Sequence, residues 1–193
     1  MKKKVGLYFG TFNPVHVGHV IIAQYMLEFT ELDEVWFVVT PHNPFKKKST
    51  LLDDYTRLEL VRQAVEQNDR LRVSDIEFGL PKPSYTIDTL AYLGEKYPDY
   101  DFALIMGSDN IATLKKWKNG DLILERHSIY VYPRHGTEKA EDFTHPHIHF
   151  TEAPIIQLSS SFIRKAIADG KNVSGMLPGT VWEEIERNGY YSQ

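Results

Sequence analysis

Residues 10–19, GTFNPVHVGH, lie between two apolar runs, and this arrangement constrains the fold more than any other feature of the chain. The run before them, residues 5–9, predicts a buried strand, and residues 19–29 predict a buried helix. A strand, a tight turn and a helix start form a geometry that binds phosphate, because free backbone N–H groups at a helix N-terminus point at the anion. We therefore expect a phosphate-binding site here.

Two histidines, His16 and His19, lie three residues apart where the helix is predicted to begin, so their side chains point the same way. Either histidine alone is typical of a cap or a packing residue. Gly10 lets the backbone approach a ligand, Pro14 stiffens the turn and Gly18 leaves room beside His19, and this combination favours a binding site. Zinc is disfavoured, because the chain has no cysteine and the pair lacks the glutamate of an H-E-x-x-H helix.

Strand and helix patterns alternate along the rest of the chain. Further strands are predicted at residues 35–40, 71–75, 102–106 and 128–132. Further helices are predicted at residues 54–67, 86–97, 120–126, 159–169 and 178–188, the last two capped by Gly170 and Gly189. Repeated β-α-β units predict an α/β fold in a single domain, residues 1–193, with a doubly wound parallel sheet and a small C-terminal helical part.

The amphipathic patterns predict which helix faces are buried. In the helix at 54–67, the apolar residues Leu58, Val61 and Val65 share one face, and Arg57 is expected to face water with the other charged residues. In the helix at 86–97, the inward positions are expected to be Ile87, Leu90 and Ala91.

Four polar loops follow predicted strands, at residues 10–19, 41–49, 107–110 and 133–136. Ligands of doubly wound sheets bind at the carboxyl ends of the strands, so we expect these loops to meet at one site. The irregular, polar segment 134–150 predicts an excursion on the surface.

The bulk composition excludes several classes of protein. A net charge of −4 argues against a general nucleic-acid partner, and the absence of cysteine excludes disulfides and thiolate chemistry. No apolar run approaches the ~18 residues of a membrane helix, and no signal peptide is visible. We expect a soluble cytoplasmic protein with no membrane partner. The G-x-G-x-x-G, P-loop and G-x-S-x-G motifs are also absent.

Two segments resemble the signatures of the nucleotidylyltransferase superfamily, which is similar in fold to the class I aminoacyl-tRNA synthetases. Residues 10–19 match G-x-F-x-P-x-H-x-G-H at every fixed position, and residues 158–164 match I-S-S-[ST]-x-I-R with Leu158 in place of isoleucine. Three serines at a helix start could serve only as a cap, or could form a second anion site with Arg164. The resemblance implies a Rossmann-like fold with ATP-binding residues Gly10, Thr11, Phe12, His16, His19, Ser159, Ser160, Ser161 and Arg164.

Three further segments, PSYTIDTL at 83–90, GSD at 107–109 and KW at 116–117, resemble the bacterial nicotinate mononucleotide adenylyltransferases, in this order and over nearly the whole chain. The resemblance implies that Thr86 and nearby amides receive the pyridine carboxylate and that Trp117 stacks on the pyridine ring. Asp109 would bind ribose hydroxyls. Lys118 replaces the tyrosine common in relatives, and we hypothesise that it pairs with the carboxylate.

Three other groups carry weaker predictions. The loop at 41–48 departs from the family's usual proline-rich form, and either Lys46 or Lys47 could lie over phosphates, with Lys46 favoured. Arg134 is expected to contact phosphate or the adenine side. The histidines of HPHIH at 145–149 would share one face of a strand and could bind a metal, although Pro146 interrupts the pattern.

The resemblance implies that ATP and nicotinate mononucleotide react to nicotinate adenine dinucleotide and pyrophosphate, by direct in-line attack on the α-phosphorus. His16, His19 and Arg164 would be the catalytic residues, and Mg²⁺ would accompany ATP without a protein metal site. The alternatives are nicotinamide mononucleotide as substrate, another nucleotidylyltransferase of the superfamily, or a nucleotide sensor without turnover. The oligomeric state is left open, a homo-oligomer included.

Overall fold

A computed structural model describes residues 2–41, 51–136 and 144–192. At its centre lies a parallel six-stranded sheet with the order β3-β2-β1-β4-β5-β6. The strands are β1 (Lys3–Gly10), β2 (Glu34–Val39), β3 (Leu71–Ser74), β4 (Tyr100–Gly107), β5 (Ile129–Tyr132) and β6 (Ile148–Phe150). The order reverses direction between β1 and β4, which confirms the doubly wound α/β fold and places a topological switch point there.

Seven α-helices are described: α1 (Val17–Phe29), α2 (Asp54–Val65), α3 (Thr86–Lys96), α4 (Ser108–Ile111), α5 (Gly120–Arg126), α6 (Ser160–Ala168) and α7 (Gly179–Asn188). Helix α1 begins two residues earlier than predicted. Gly170 and Gly189 have φ of +68° and +62° after α6 and α7, which confirms both predicted caps. Within the described ranges, no helix is long and apolar enough to cross a membrane.

Helices cover both faces of the sheet, because successive side chains of a strand point to opposite faces. Tyr8, Ile105 and Tyr130 lie in the apolar cluster that includes residues of α1, α2, α6 and α7. Their neighbours Leu7 and Leu104 lie in the cluster that includes residues of α3, α4 and α5. Because both faces of the sheet are buried, the strand sequences are continuous apolar runs rather than alternating patterns.

Helix α2 corrects one expectation from the sequence. Leu58, Val61 and Val65 are buried as predicted, but the prediction that Arg57 faces water is wrong, because its side chain has no solvent exposure. The guanidinium donates to the carbonyls of Thr11 and Thr40, in loops distant in sequence, and to that of Leu52, five residues earlier. These hydrogen bonds replace those that water would supply.

Helix α3 buries a different stripe from the one predicted. Leu90 is buried and Ile87 partly so, but Ala91 is exposed, and the buried positions also include Thr89 and Leu93. A polar contact explains the difference. The Thr89 side chain faces inward because its hydroxyl donates a hydrogen bond to the buried carboxyl of Glu77 at 2.9 Å. Burial raises the pKa of Glu77.

Part of the predicted surface excursion at 134–150 is also a strand. Residues 148–150 form β6, which pairs in parallel with β5 at the edge of the sheet. Three residues are too few for an alternating pattern to be recognised in a sequence. Residues 137–143 lie outside the described ranges.

Two glycines offer a matched stability test. At Gly120, where α5 begins, an added Cβ would lie 2.0 Å from the Leu114 carbonyl oxygen, whereas at Gly94 in α3 nothing lies within 4 Å. We expect Gly120→Ala to lower the free energy of unfolding by ~1–3 kcal/mol. Gly94→Ala should raise it by ~0.5–1 kcal/mol, because alanine favours a helix. Urea denaturation measures both, and equal effects of the two variants would contradict the packing described around α5.

Candidate active site

The turn after β1 is shaped by close packing around Phe12. Phe12 is buried with φ of +44°, and its ring packs edge-to-face against the rings of Tyr8 and His19. A Cβ on Gly10 would come within 2.8 Å of the Phe12 ring, so only glycine fits there. The peptide bond between Asn13 and Pro14 is cis. The turn therefore brings the chain tightly from the end of β1 to the start of α1.

The two histidines stack on each other where α1 begins. His16 is the N-cap residue, and its ring centroid lies 3.7 Å from that of His19. The backbone N–H of His16 donates to Nδ1 of His19 at 3.2 Å. Since Nδ1 accepts this hydrogen bond, the neutral His19 ring carries its proton on Nε2. A Cβ on Gly18 would lie 3.0 Å from Nδ1 of His16, so glycine makes room for the stack.

Both rings are neutral at physiological pH. Burial, with a smaller contribution from the Arg134 guanidinium, lowers the pKa of His16 from 6.5 to about 4. Burial, then His16 and Arg134, lowers the pKa of His19 well below 6.5. Nδ1 of His16 is buried and has no hydrogen-bond partner within the described part of the chain. A buried polar atom without a partner is costly in a finished core but expected where a ligand binds.

Side chains hold the turn through three of its backbone carbonyls. Arg57 Nη1 donates to Thr11 O at 2.6 Å, Arg164 Nη1 donates to Asn13 O at 2.7 Å, and Ser160 Oγ donates to Pro14 O at 2.9 Å. The donors belong to α2 and α6, which are far apart in the chain. The predicted site residues Arg164 and Ser160 are thus brought to the histidine turn, 151 and 146 residues from their acceptors.

The Asn13 side chain ties the turn to two more segments. Its Oδ1 accepts from the backbone N–H of Leu52 at 3.3 Å and from the Tyr191 hydroxyl at 2.7 Å. Burial raises the pKa of Tyr191, so the hydroxyl remains a donor. Sequence reasoning missed Asn13, Tyr191 and Arg57, because their contacts are long-range and no local pattern signals them.

The serines of α6 serve partly as structural residues. Ser159 Oγ accepts from the Phe162 N–H at 3.2 Å as an N-cap, and Ser161 Oγ accepts from Arg164 Nη2 at 3.3 Å. Ser160 is bound to the turn. All three serines and Arg164 nevertheless line the same cleft as the histidines, so the second anion site stays a prediction.

This histidine cleft has a volume of about 260 Å³ at the carboxyl edge of the sheet. Its polar lining includes Thr11, Asn13, His16, His19, Tyr132, Arg134, Ser159, Ser160, Ser161 and Arg164. A neighbouring cleft of about 390 Å³ is lined by Asp109, Arg134 and Ser159 among others. Arg134 lines both clefts, whereas Asp109 lines only the neighbouring one. Arg134 Nε lies 3.6 Å from Asp109 Oδ1.

Trp117 lines a third cavity, of about 180 Å³, at the switch point between β1 and β4. Tyr8 and Tyr132 line both this cavity and the histidine cleft, and their hydroxyl oxygens lie 3.4 Å apart. Burial raises the pKa of Tyr8. The two tyrosines therefore lie between the space lined by the histidines and the space lined by the predicted pyridine-binding tryptophan.

Of the other predicted substrate residues, Thr86 and Lys118 are described and lie outside these three linings. Thr86 is the first residue of α3, with Tyr85 as N-cap. Lys118 Nζ lies 2.8 Å from Asp88 Oδ2 and 4.7 Å from the centre of the Tyr85 ring, so it links the Trp117 loop to the start of α3. Lys46 and Lys47 fall outside the described residues.

The histidines of HPHIH are not brought together as a metal site. Nδ1 of His147 lies 2.8 Å from the Leu124 carbonyl oxygen, and the His149 ring stacks on Tyr130. Among the described residues, no group of three histidines, cysteines or carboxylates could hold a metal ion.

This chain is similar to known nucleotidylyltransferases in its family match, in its sequence relatives and in its fold. Residues 7–166 match the cytidylyltransferase-like family. Proteins of Flavobacterium johnsoniae and Flavobacterium psychrophilum, both named "Probable nicotinate-nucleotide adenylyltransferase", are 57% and 54% identical over 192 residues, covering 98% of this chain and 100% of each relative. The solved structure of Plasmodium falciparum nicotinic acid mononucleotide adenylyltransferase complexed with NaAD matches with a TM-score of 0.80, covering 98% of each chain at 19% identity, which shows the fold alone.

The lowered histidine pKa values make stability depend on pH. The unfolded chain binds protons on His16 below about pH 6.5 and the folded chain only below about pH 4, so stability is full above 6.5 and lost as the pH falls. For His16 alone, about 2 kcal/mol should be lost between about pH 8 and 5. We expect His16→Gln to remove much of this loss in urea denaturation series. An unchanged pH dependence in that variant would contradict a neutral, buried His16.

Proposed function

The chain belongs to the cytidylyltransferase-like family and, within it, to the nicotinate-nucleotide adenylyltransferases, and on this premise we propose that it transfers the adenylyl group of ATP to nicotinate mononucleotide. The products are nicotinate adenine dinucleotide and pyrophosphate, and the reaction belongs to NAD biosynthesis. The observation that carries the proposal is the stacked, neutral histidine pair in a cleft that Arg134 and Arg164 also line.

The two histidines suit the stabilisation of phosphate oxygens. The His19 ring offers Nε2–H as a donor, and the His16 ring stacks on it and lines the same cleft. Two neutral donors fixed by stacking lose little freedom when a triphosphate binds. As charge moves to the leaving pyrophosphate, these hydrogen bonds strengthen, so they contribute to turnover more than to ground-state binding.

The chemistry requires no general base. An oxygen of the mononucleotide 5′-phosphate, already ionised at neutral pH, forms a bond to the α-phosphorus of ATP. The bond from the α-phosphorus to the bridging oxygen breaks, and its electron pair leaves with pyrophosphate. The protein's tasks are alignment and charge neutralisation. The switch-point cavity and the histidine cleft share Tyr8 and Tyr132, so substrates in the two spaces would meet at these residues.

In the proposed complex, the two arginines at the histidine cleft would give the triphosphate positive charge, and backbone N–H groups of the turn would give it directional hydrogen bonds. Arg164 would bind the β- and γ-phosphates with the serines of α6, while Gly10, Thr11 and Phe12 form the turn beside them. Arg134 would also contact phosphate in the histidine cleft, and its partner Asp109 would accept ribose hydroxyls in the neighbouring cleft.

Magnesium belongs to the ATP substrate in this proposal. The described residues that line the histidine cleft offer imidazole, hydroxyl, amide and guanidinium groups and include no carboxylate. Such a donor set suits phosphate oxygens rather than Mg²⁺, which prefers phosphate and water ligands. Mg²⁺ would neutralise part of the triphosphate charge during transfer.

The pyridine end of the mononucleotide would lie near Trp117, whose ring would stack on the nicotinate. Thr86 with nearby amides would receive the carboxylate. Lys118 could pair with it by exchanging its present partner, Asp88, for the ligand. Lys46 would approach the phosphates.

The activity is tested by pyrophosphate release from MgATP with nicotinate mononucleotide or nicotinamide mononucleotide. We expect a strong preference for the acid, because a positively charged or N–H-rich pocket discriminates a carboxylate from an amide. Comparable rates with the two mononucleotides would support adenylyl transfer but contradict the proposed binding site for the pyridine carboxylate. No release with either substrate would contradict the proposed enzyme and favour a sensor or another acceptor.

The histidine roles predict a loss of turnover. His16→Ala or His19→Ala should lower kcat on the order of 10²–10³-fold, the range for a transition-state donor. The matched control is His149→Ala, an exposed histidine on β6. A loss below about tenfold in folded protein would argue against the role in the transition state.

The pyridine site predicts effects on one substrate only. Trp117→Ala should raise the KM for nicotinate mononucleotide and leave the KM for ATP nearly unchanged, because the stacking contact is lost. Lys118→Ala should raise the KM for the acid but not for the amide. Steady-state kinetics with each substrate varied measures these KM values. Equal changes in the KM for ATP and for the mononucleotide would contradict the role of Trp117, and equal changes for acid and amide would contradict that of Lys118.

A further inference from the structure

Arg57 is a fully buried guanidinium next to the histidine turn. Its Nη1 donates to Thr11 O at 2.6 Å and to Thr40 O at 2.9 Å, and its Nε donates to Leu52 O at 3.1 Å. Its Nη2 lies 2.5 Å from Asp54 Oδ1. One side chain of α2 thus binds the segments that follow β1 and β2 and the segment that leads into α2.

The arrangement is costly unless each donor has a partner. Burying an arginine forfeits its hydration, and a well-packed apolar side chain is often as stabilising at such a position. Here carbonyl oxygens and one carboxylate receive the donors, and Asp54 is itself within 3.7 Å of Lys82 Nζ. The rigid fork of an arginine reaches several acceptors at once, which the single ammonium of a lysine cannot do.

Arg57 does not line the histidine cleft, whereas Arg164 does. Any effect of Arg57 on a ligand in the cleft therefore passes through the backbone that it holds. The Thr11 carbonyl is the first of the three held turn carbonyls, and Thr40 N–H donates to Gly10 O at 2.9 Å. Arg57 and this backbone hydrogen bond together fix the ends of β1 and β2 relative to each other.

We infer that Arg57 is a positioning residue for adenylyl transfer: by binding the carbonyls of Thr11, Thr40 and Leu52, it holds the turn in the shape that keeps His16 and His19 stacked in the cleft. The inference rests on the proposed function for its kinetic consequence. Its structural consequence, the environment of the two histidine rings, does not depend on which substrate is used.

The kinetic test compares Arg57→Lys and Arg57→Ala with Leu60→Ala, a matched control in the apolar core of the same helix. We expect kcat to fall by up to about 100-fold in both Arg57 variants, since small misplacements of catalytic groups cost this much. The KM for nicotinate mononucleotide should change little. Guanidinium ion at millimolar concentration should restore part of the kcat of Arg57→Ala, because it fits the vacated space and its acceptors. Leu60→Ala should lose stability but keep its kcat and show no rescue.

The second readout is the NMR titration of the His16 and His19 rings. In Arg57→Lys, a loosened turn admits water, so the pKa values of both rings should move up toward 6.5, whereas in Leu60→Ala they should stay low. If Arg57→Ala fails to fold, Arg57→Lys and Asp54→Asn carry the test, with the same direction of change in kcat.

Arg57 variants that lose no more kcat than Leu60→Ala, or keep the ring titrations of the unchanged protein, would overturn the inference. Absence of pyrophosphate release from the unchanged protein would instead count against the proposed function, and the ring titrations would still test Arg57.

Discussion

The hydrogen bonds to the carbonyls of the turn after β1 are the interactions on which the site depends. A sharp turn at the end of a buried strand leaves backbone carbonyls without secondary-structure partners, and such groups must be satisfied by other donors. Here Arg57, Ser160 and Arg164 bind the carbonyls of Thr11, Pro14 and Asn13. With its carbonyls engaged by α2 and α6, the turn presents the two histidine rings to the cleft.

In the histidine cleft, different residues provide the positive charge and the oriented hydrogen-bond donors. Burial and the nearby Arg134 lower the pKa of both histidines, so in the proposed reaction they would contribute oriented hydrogen bonds rather than net charge. In the proposed reaction, the two arginines that line the cleft, Arg134 and Arg164, would supply the positive charge that a triphosphate requires. An incoming anion would raise both histidine pKa values. As negative charge builds on the leaving group, the hydrogen bonds that the rings donate to it would strengthen.

Most of the fold could be predicted from the sequence because its signals are local. The apolar runs gave five of the six described strands, and Gly170 and Gly189 marked helix ends through their left-handed backbone. Two short motifs likewise predicted part of the histidine-cleft lining, namely Thr11, His16, His19, the three serines of α6 and Arg164, but not Tyr8, Asn13 or Tyr132. Strand β6 was missed because three residues carry no periodicity.

The supporting residues could not be predicted, because their partners are distant in the chain. The pattern of α2 assigned Arg57 to solvent, since a charged residue beside an apolar stripe usually faces water, and only the loop carbonyls packed against it explain its burial. Tyr191 meets Asn13 across 178 residues. Ser159 and Ser160 were assigned to phosphate, but their present hydrogen bonds are a helix cap and a tie to the turn.

The protonation state of His19 decides whether the turn after β1 presents neutral imidazole donors to the cleft. Long-range ¹H–¹⁵N NMR of the histidine side chains near neutral pH distinguishes the two neutral tautomers from the cation. We expect a neutral His19 with its proton on Nε2, and a shift of that signal when a non-hydrolysable ATP analogue is added with Mg²⁺. A His19 ring protonated on Nδ1, or charged, or unaffected by the nucleotide would contradict the claim that this turn presents neutral imidazole donors to a triphosphate.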